Sequence, residues 1–210
     1  MKIKLIWKKL ILEKKRYATK DDLIPLCGQI GKDPQTVVHY LSTHGYIHRV
    51  FNGFYYVMSP NEIEGGAIKK STFELVADGL KFKGIKKWYF GLETALKMNN
   101  LTHEYFSVNY IVSDSYRTTK VVKIIDAEFQ FLKWSKKMSD FGIVKKNKLK
   151  YSDPEKTVLD MVYRNYWKKI GEKQMLSPLI EYEERLNSDR LSKYLKNYPK
   201  KMKIMVEGYL

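Results

Sequence analysis

The chain has 210 residues, of which 39 are Lys or Arg and 23 are Asp or Glu, giving a formal charge of +16. A hydrophobic fraction of 44% is enough to build a core, which excludes disorder as the main state. Apolar runs such as Leu10 to Leu12 are far short of the roughly 20 residues of a membrane span, and Lys8 and Lys9 interrupt the only candidate secretory segment.

These features predict a cytoplasmic protein with no membrane association. The single cysteine, Cys27, has no partner for an internal disulfide and is expected as a buried thiol. The charge excess fits either a polyanionic partner or plain solubility. It divides into +6 over residues 1–58, +7 over 59–150 and +3 over 151–210, so no acidic tail offsets it.

Ile3, Ile6, Trp7, Leu10 and Ile11 recur at the spacing of an amphipathic helix over 3–12. Thr19 and Asp22 form a capping-box pattern ahead of a second helix, from Lys20 to about Ile30. Asp33 can cap a third helix, Pro34 to His44, with proline in the first turn and Gly45 placed to end it. On that helix Val37, Val38 and Leu41 share one side, while Gln35, Thr36, His39, Ser42 and Thr43 share the other. The second side is polar and uncharged, a composition that can read base edges without repelling phosphates. Residues 46–50 and 54–57 flank Asn52-Gly53 and predict a hairpin. Three helices followed by a hairpin is the order of a winged helix-turn-helix.

Residues 59–70, with Pro60, Gly65 and Gly66, read as a linker. Ser71 and Glu74 begin a helix over 71–82. Residues 86–92 lead into a short helix, Glu93 to Met98. Strands are expected over 107–113, 120–125 and 141–144. Ser152 to Glu155 reads as another capping box, and the chain is then expected to be helical to the end, with Pro178 and Pro199 as breaks. Tyr55, Tyr56, Trp88, Tyr89 and Trp167 are expected in core and interdomain packing. The fold class is therefore α+β: a winged helix-turn-helix domain over 1–58, a linker, and a mixed α/β domain over 71–210 with a small sheet and a helical C-terminus.

Three stretches occur in the order seen in one family. They are Gly45-Tyr46-Ile47-His48-Arg49-Val50-Phe51-Asn52-Gly53-Phe54-Tyr55, Tyr89-Phe90-Gly91-Leu92-Glu93-Thr94-Ala95-Leu96 and Ser152-Asp153-Pro154-Glu155-Lys156-Thr157-Val158-Leu159-Asp160. The chain thereby resembles AbiEi-type antitoxins, transcriptional regulators of type IV toxin–antitoxin systems. The resemblance implies a DNA-binding repressor of its own operon, recognising inverted repeats as a monomer or dimer. It also implies opposition to a nucleotidyltransferase-like toxin without a required stable complex. By position, Gln35, Thr36, His39 and Thr43 would face the major groove, Lys32 and Arg49 would meet phosphates, and Asn52 would sit at the wing tip. The lysines of 133–150, chiefly Lys145, Lys146 and Lys148, could extend the contact.

Enzyme signatures are weak. Glu13-Lys14-Lys15 is the only acidic-x-Lys match, on the end of a helix, and Asp126 and Glu128 have no lysine at the required offset. His39, His44, His48 and Cys27 lack the paired spacing of a zinc site. No catalytic residue, metal or cofactor is expected. A nucleic-acid-processing enzyme with an unrecognised active site remains the alternative, and a protein-interaction module the third.

Overall fold

Helix α1 (Lys4–Leu12) buries Ile6, Trp7 and Leu10, the stripe its 3.6-residue period dictates, and the Trp7 indole donates to the Met58 carbonyl at 2.7 Å. In this computed structural model, which describes residues 2–209, the chain divides into two compact units. Among the described residues, one comprises 2–83 with 124–126, the other 84–123 with 127–209. Both mix helices and strands, as the α+β class requires, and no helix among the described residues is long and apolar enough to cross a membrane.

In the first unit, α1 is followed by β1 (Tyr17–Thr19), α2 (Lys20–Gln29), α3 (Pro34–Thr43), β2 (Ile47–Phe51) and β3 (Phe54–Val57). Both sequence-predicted caps form: Thr19 and Asp22 cap α2 reciprocally, and the Asp33 carboxylate accepts the Thr36 N–H at 3.0 Å. The strands pair antiparallel in the order β1-β3-β2, so β3 is central and all four of its residues are buried. Cys27 is buried in the core cluster that also holds Leu23, Leu26, Val37 and Leu41. Gly45 leaves α3 at φ +70° and Gly53 turns the hairpin at φ +74°. Asn52 has no positive φ, and the ladder shifts register between Arg49 and Phe51. The hairpin therefore closes through an irregular turn in place of the type I′ turn that Asn-Gly favours.

Two corrections concern the stretch expected as linker and the domain start. Residues Pro60–Glu64 form a helix, α4, whose Ser59 cap is answered by Glu62, a residue only 1% exposed. The next helix, α5 (Thr72–Phe82), belongs to the first unit, so the boundary follows Lys83. The reason is packing. Gly79 of α5 lies so close to β2 that an added Cβ would stand 2.3 Å from the Phe51 ring. Glu62 ties the intervening segment down, accepting from Tyr56 Oη (2.6 Å), Ser59 Oγ (2.6 Å) and the Lys69 N–H (3.0 Å), with the Arg16 guanidinium 3.5 Å away.

The second unit is built on a six-stranded mixed sheet of order β6-β7-β5-β4-β9-β8. Its strands are β4 (Trp88–Gly91), β5 (Val108–Ser113), β6 (Val122–Ile124), β7 (Ala127–Lys133), β8 (Ile143–Lys146) and β9 (Leu149–Ser152). Pairs β5–β7 and β4–β9 are parallel, and β4–β5 and β8–β9 antiparallel. Helices α6 (Leu92–Met98), α7 (Pro154–Trp167), α8 (Glu172–Tyr182), α9 (Ser188–Leu195) and α10 (Lys200–Glu207) supply most of its apolar core. The expected box at Ser152 is corrected here. Asp153 is the N-cap of α7, accepting the Lys156 N–H, while the Ser152 hydroxyl bonds Thr157 and Glu155 receives the Asn187 N–H. Pro178 lies inside α8, so only Pro199 marks a break.

Candidate nucleic-acid interface

The exposed side of α3 and the β2–β3 turn come together in the first unit. Val37 and Leu41 are fully buried, and Val38 is half-buried. This rotation leaves Gln35, Thr36, His39, Ser42 and Thr43 in solvent. A concave surface of 720 Å³ is lined by Gln35, His39 and Ser42 from α3, Lys20, Leu23 and Ile24 from α2, and Arg49, Asn52 and Tyr55 from the hairpin, with Asp33, Pro34 and Val38 completing it. Arg49 pairs across the ladder with Tyr55 and keeps its guanidinium exposed. Of the seven residues singled out in the sequence, Gln35, His39, Arg49 and Asn52 line this surface. Lys32, Thr36 and Thr43 are exposed but lie outside it.

Each departure has a local cause. The Thr36 hydroxyl points back to its helix cap, 3.4 Å from the Asp33 carboxylate. Lys32 precedes that cap in the α2–α3 connection, and Thr43 sits at the far end of α3. Asp33 itself adds a carboxylate to a surface that the sequence presents as free of acids. Lys20 is the residue that sequence reasoning missed. It is the first residue of α2, its N–H donates to the Gly53 carbonyl at 3.2 Å, and its stem lies 3.4 Å from the position of a Gly53 Cβ. The capping box places Lys20 at the helix start, but nothing in the sequence joins that start to the hairpin turn.

Two other histidines, His44 and His48, are occupied elsewhere. His44 Nδ1 lies 2.8 Å from the Tyr40 carbonyl and its ring stacks on Tyr40. His48 is half-buried opposite Tyr56, and burial pushes its imidazole below the usual range against the opposing pull of Glu62. Burial also pushes the Cys27 thiol up, with the Asp33 charge adding to it. No group of three or more His, Cys, Asp or Glu among the described residues could hold a metal ion. Burial would raise Glu62, but the hydrogen bonds from Ser59, Tyr56 and Lys69 prevail and hold it at about 2.

The carboxylates considered for nuclease chemistry do not form a site. Glu13 follows α1 and pairs with Lys15 at 3.5 Å. Asp126 lies in the β6–β7 turn, not on a strand face, and accepts from Thr72 Oγ1. The second unit does contain a titratable cluster on α7. Lys156 Nζ lies 3.1 Å from Asp160, whose carboxylate also accepts from Tyr89 Oη (2.8 Å) and Tyr198 Oη (2.7 Å). Burial pushes Lys156 down and Asp160 up, each opposed by the other's charge. Perturbed groups of this kind often mark functional sites, but both side chains are fully buried, with Lys156 over the rings of Phe141 and Tyr89. The cluster is a core element.

Among the C-terminal candidates, Lys145 and Lys146 are on β8 and Lys148 is in the turn before β9, all exposed. Tyr55, Tyr56, Trp88 and Tyr89 are buried as expected, but Trp167 is 63% exposed at the end of α7.

No protein-family model matches the chain, and no curated protein matches it. Among solved structures, the chain is similar to the RV2827C protein from Mycobacterium tuberculosis. The two share 13% sequence identity with a TM-score of 0.57, over 94% of this chain and 72% of that one. At this identity the likeness concerns the fold alone.

Proposed function

We propose that the chain is a DNA-binding transcriptional repressor whose N-terminal elements act as a winged helix-turn-helix. On this reading α3 is the recognition helix and the β2–β3 hairpin is the wing. The observation that carries it is the shared surface of Gln35, His39, Arg49 and Asn52, which joins hydrogen-bonding side chains on one helix to a cation on the neighbouring hairpin. Gln can pair bidentately with adenine in the major groove, while an exposed Arg beside it can meet the phosphate backbone. Lys20 supplies a second cation to the same surface.

The resemblance to AbiEi-type antitoxins extends this reading to autoregulation through inverted repeats and to antitoxin action against a nucleotidyltransferase-like toxin. It supports the assignment through three separate stretches, one in the hairpin and two in the second unit. The test is a titration of the full chain on the DNA upstream of its own gene against a scrambled duplex of equal length, at two salt concentrations. Preference for the upstream DNA that survives the higher salt supports a sequence reader. Equal binding to both, erased by salt, identifies the +16 charge as a nonspecific surface and removes the repressor assignment.

A further inference from the structure

The β8–β9 hairpin sets like charges directly opposite one another. Lys145 and Lys150 are register partners in the ladder, an arrangement that destabilises a strand pair by itself. Alternation along the strands puts these two on one face and Lys146 on the other. The face with Lys145 and Lys150 opens on a 430 Å³ groove that also includes Lys86, Lys87, Trp88 and Ser139. The one carboxylate lining it, Asp140, is taken up by an ion pair with Lys87. Among the described residues, no carboxylate lies within ion-pair distance of Lys86, Lys145 or Lys150.

Lys150 shows how the cations are held. Its ammonium donates to the Lys86 carbonyl at 3.1 Å and lies 5.3 Å from the centre of the Trp88 ring. Burial lowers its pKa, and the Lys145 charge lowers it further. Trp88 is only 6% exposed, with Lys150 over its ring, so its face is not open for a base to stack on.

We propose that Lys145 and Lys150, with Lys86, form a binding site for a phosphoryl group, contributed either by a nucleic-acid backbone or by the polyphosphate of a free nucleotide. An anion between the paired lysines offsets their mutual repulsion. The site recognises the phosphate and not the base. It lies wholly within the second unit and is independent of α3.

The test measures thermal unfolding of the full chain in inorganic pyrophosphate against sodium chloride at matched ionic strength, for the wild type, Lys145→Gln and Lys146→Gln. Pyrophosphate is expected to raise the wild-type Tm beyond chloride. Lys146→Gln should keep that rise and Lys145→Gln should lose it. Without pyrophosphate at low salt, Lys145→Gln should unfold up to about 4 °C above the wild type, because the like-charge pair is gone. No rise beyond chloride, or equal loss in both variants, would overturn the proposal. Repeating the comparison with ATP and with a short scrambled duplex distinguishes the sources. The ligand whose apparent affinity falls about tenfold in Lys145→Gln but not in Lys146→Gln is the donor of the phosphate. Because the readout compares two variants of one hairpin, it holds whether or not α3 reads DNA.

Discussion

Helices α3 and α7 begin alike and end in opposite surroundings. Each has an aspartate N-cap, Asp33 or Asp153, followed by proline, and each cap accepts the N–H of the residue three positions on. Yet α3 buries only Val37 and Leu41, while α7 buries every residue from Glu155 to Val162, including a lysine and two acids. A cap fixes where a helix starts because it satisfies local N–H groups, but it says nothing of what will cover the helix. The polar residues of α3 are outside and available to a ligand. Those of α7 are inside and serve the core.

The comparison breaks most visibly on α7. Replacing Lys156 with Met leaves Asp160 charged and buried, and should cost about 3–5 kcal/mol in denaturant unfolding. Adding Asp160→Leu should recover only part of this, because the Tyr89 and Tyr198 hydroxyls then lose their acceptor. A double variant no more stable than the single one would contradict the pair's role.

Glu62 in the first unit is expected to follow in size. Its folded pKa of about 2 lies below the ordinary carboxylate value, so its stabilisation is present above pH about 4.5 and is lost as pH falls through about 2. The shift corresponds to about 3 kcal/mol. Unfolding free energies of the wild type and Glu62→Gln should converge across that window, and a constant difference would show that the carboxylate charge is not what matters.

Gly79→Ala should cost about 1–3 kcal/mol by forcing α5 away from the Phe51 ring. The smallest expected effect on stability is at the start of α3, where Asp33→Ala should remove about 1 kcal/mol by leaving the Thr36 N–H without its side-chain acceptor.

The same contrast explains what the sequence made legible. Helix α1 is legible from its apolar period, and α2, α3 and α5 from their caps as well, because both signals are local; α3's outer face follows from the same period. Nothing in the i, i+4 spacing of Lys156 and Asp160 marks them as buried, because their burial depends on Phe141, Tyr89 and Tyr198 brought in from distant segments. Glu62 sat in a stretch whose proline and glycines suggested a linker, and its partners Tyr56 and Lys69 are not visible as such in the chain order. Strand β7 carries its alternation chiefly at Phe129 and Phe131, too short a pattern to stand out between charged and polar neighbours. Its parallel pairing with β5 has no turn signal to announce it. In the candidate interface, the periodicity identified Gln35 and His39, whereas Lys20 required knowledge of where the turn at Gly53 packs.

The central claim is that α3 reads sequence while the hairpin meets the backbone. Fluorescence anisotropy on the upstream DNA and a scrambled duplex, for the wild type, Gln35→Ala and Arg49→Ala across a salt series, tests it most directly. Gln35→Ala should lose about 1–3 kcal/mol on the upstream DNA alone, and Arg49→Ala should weaken both duplexes alike and reduce the salt slope by about 1. Equal losses on both duplexes for Gln35→Ala would contradict the assignment of α3 as the recognition helix.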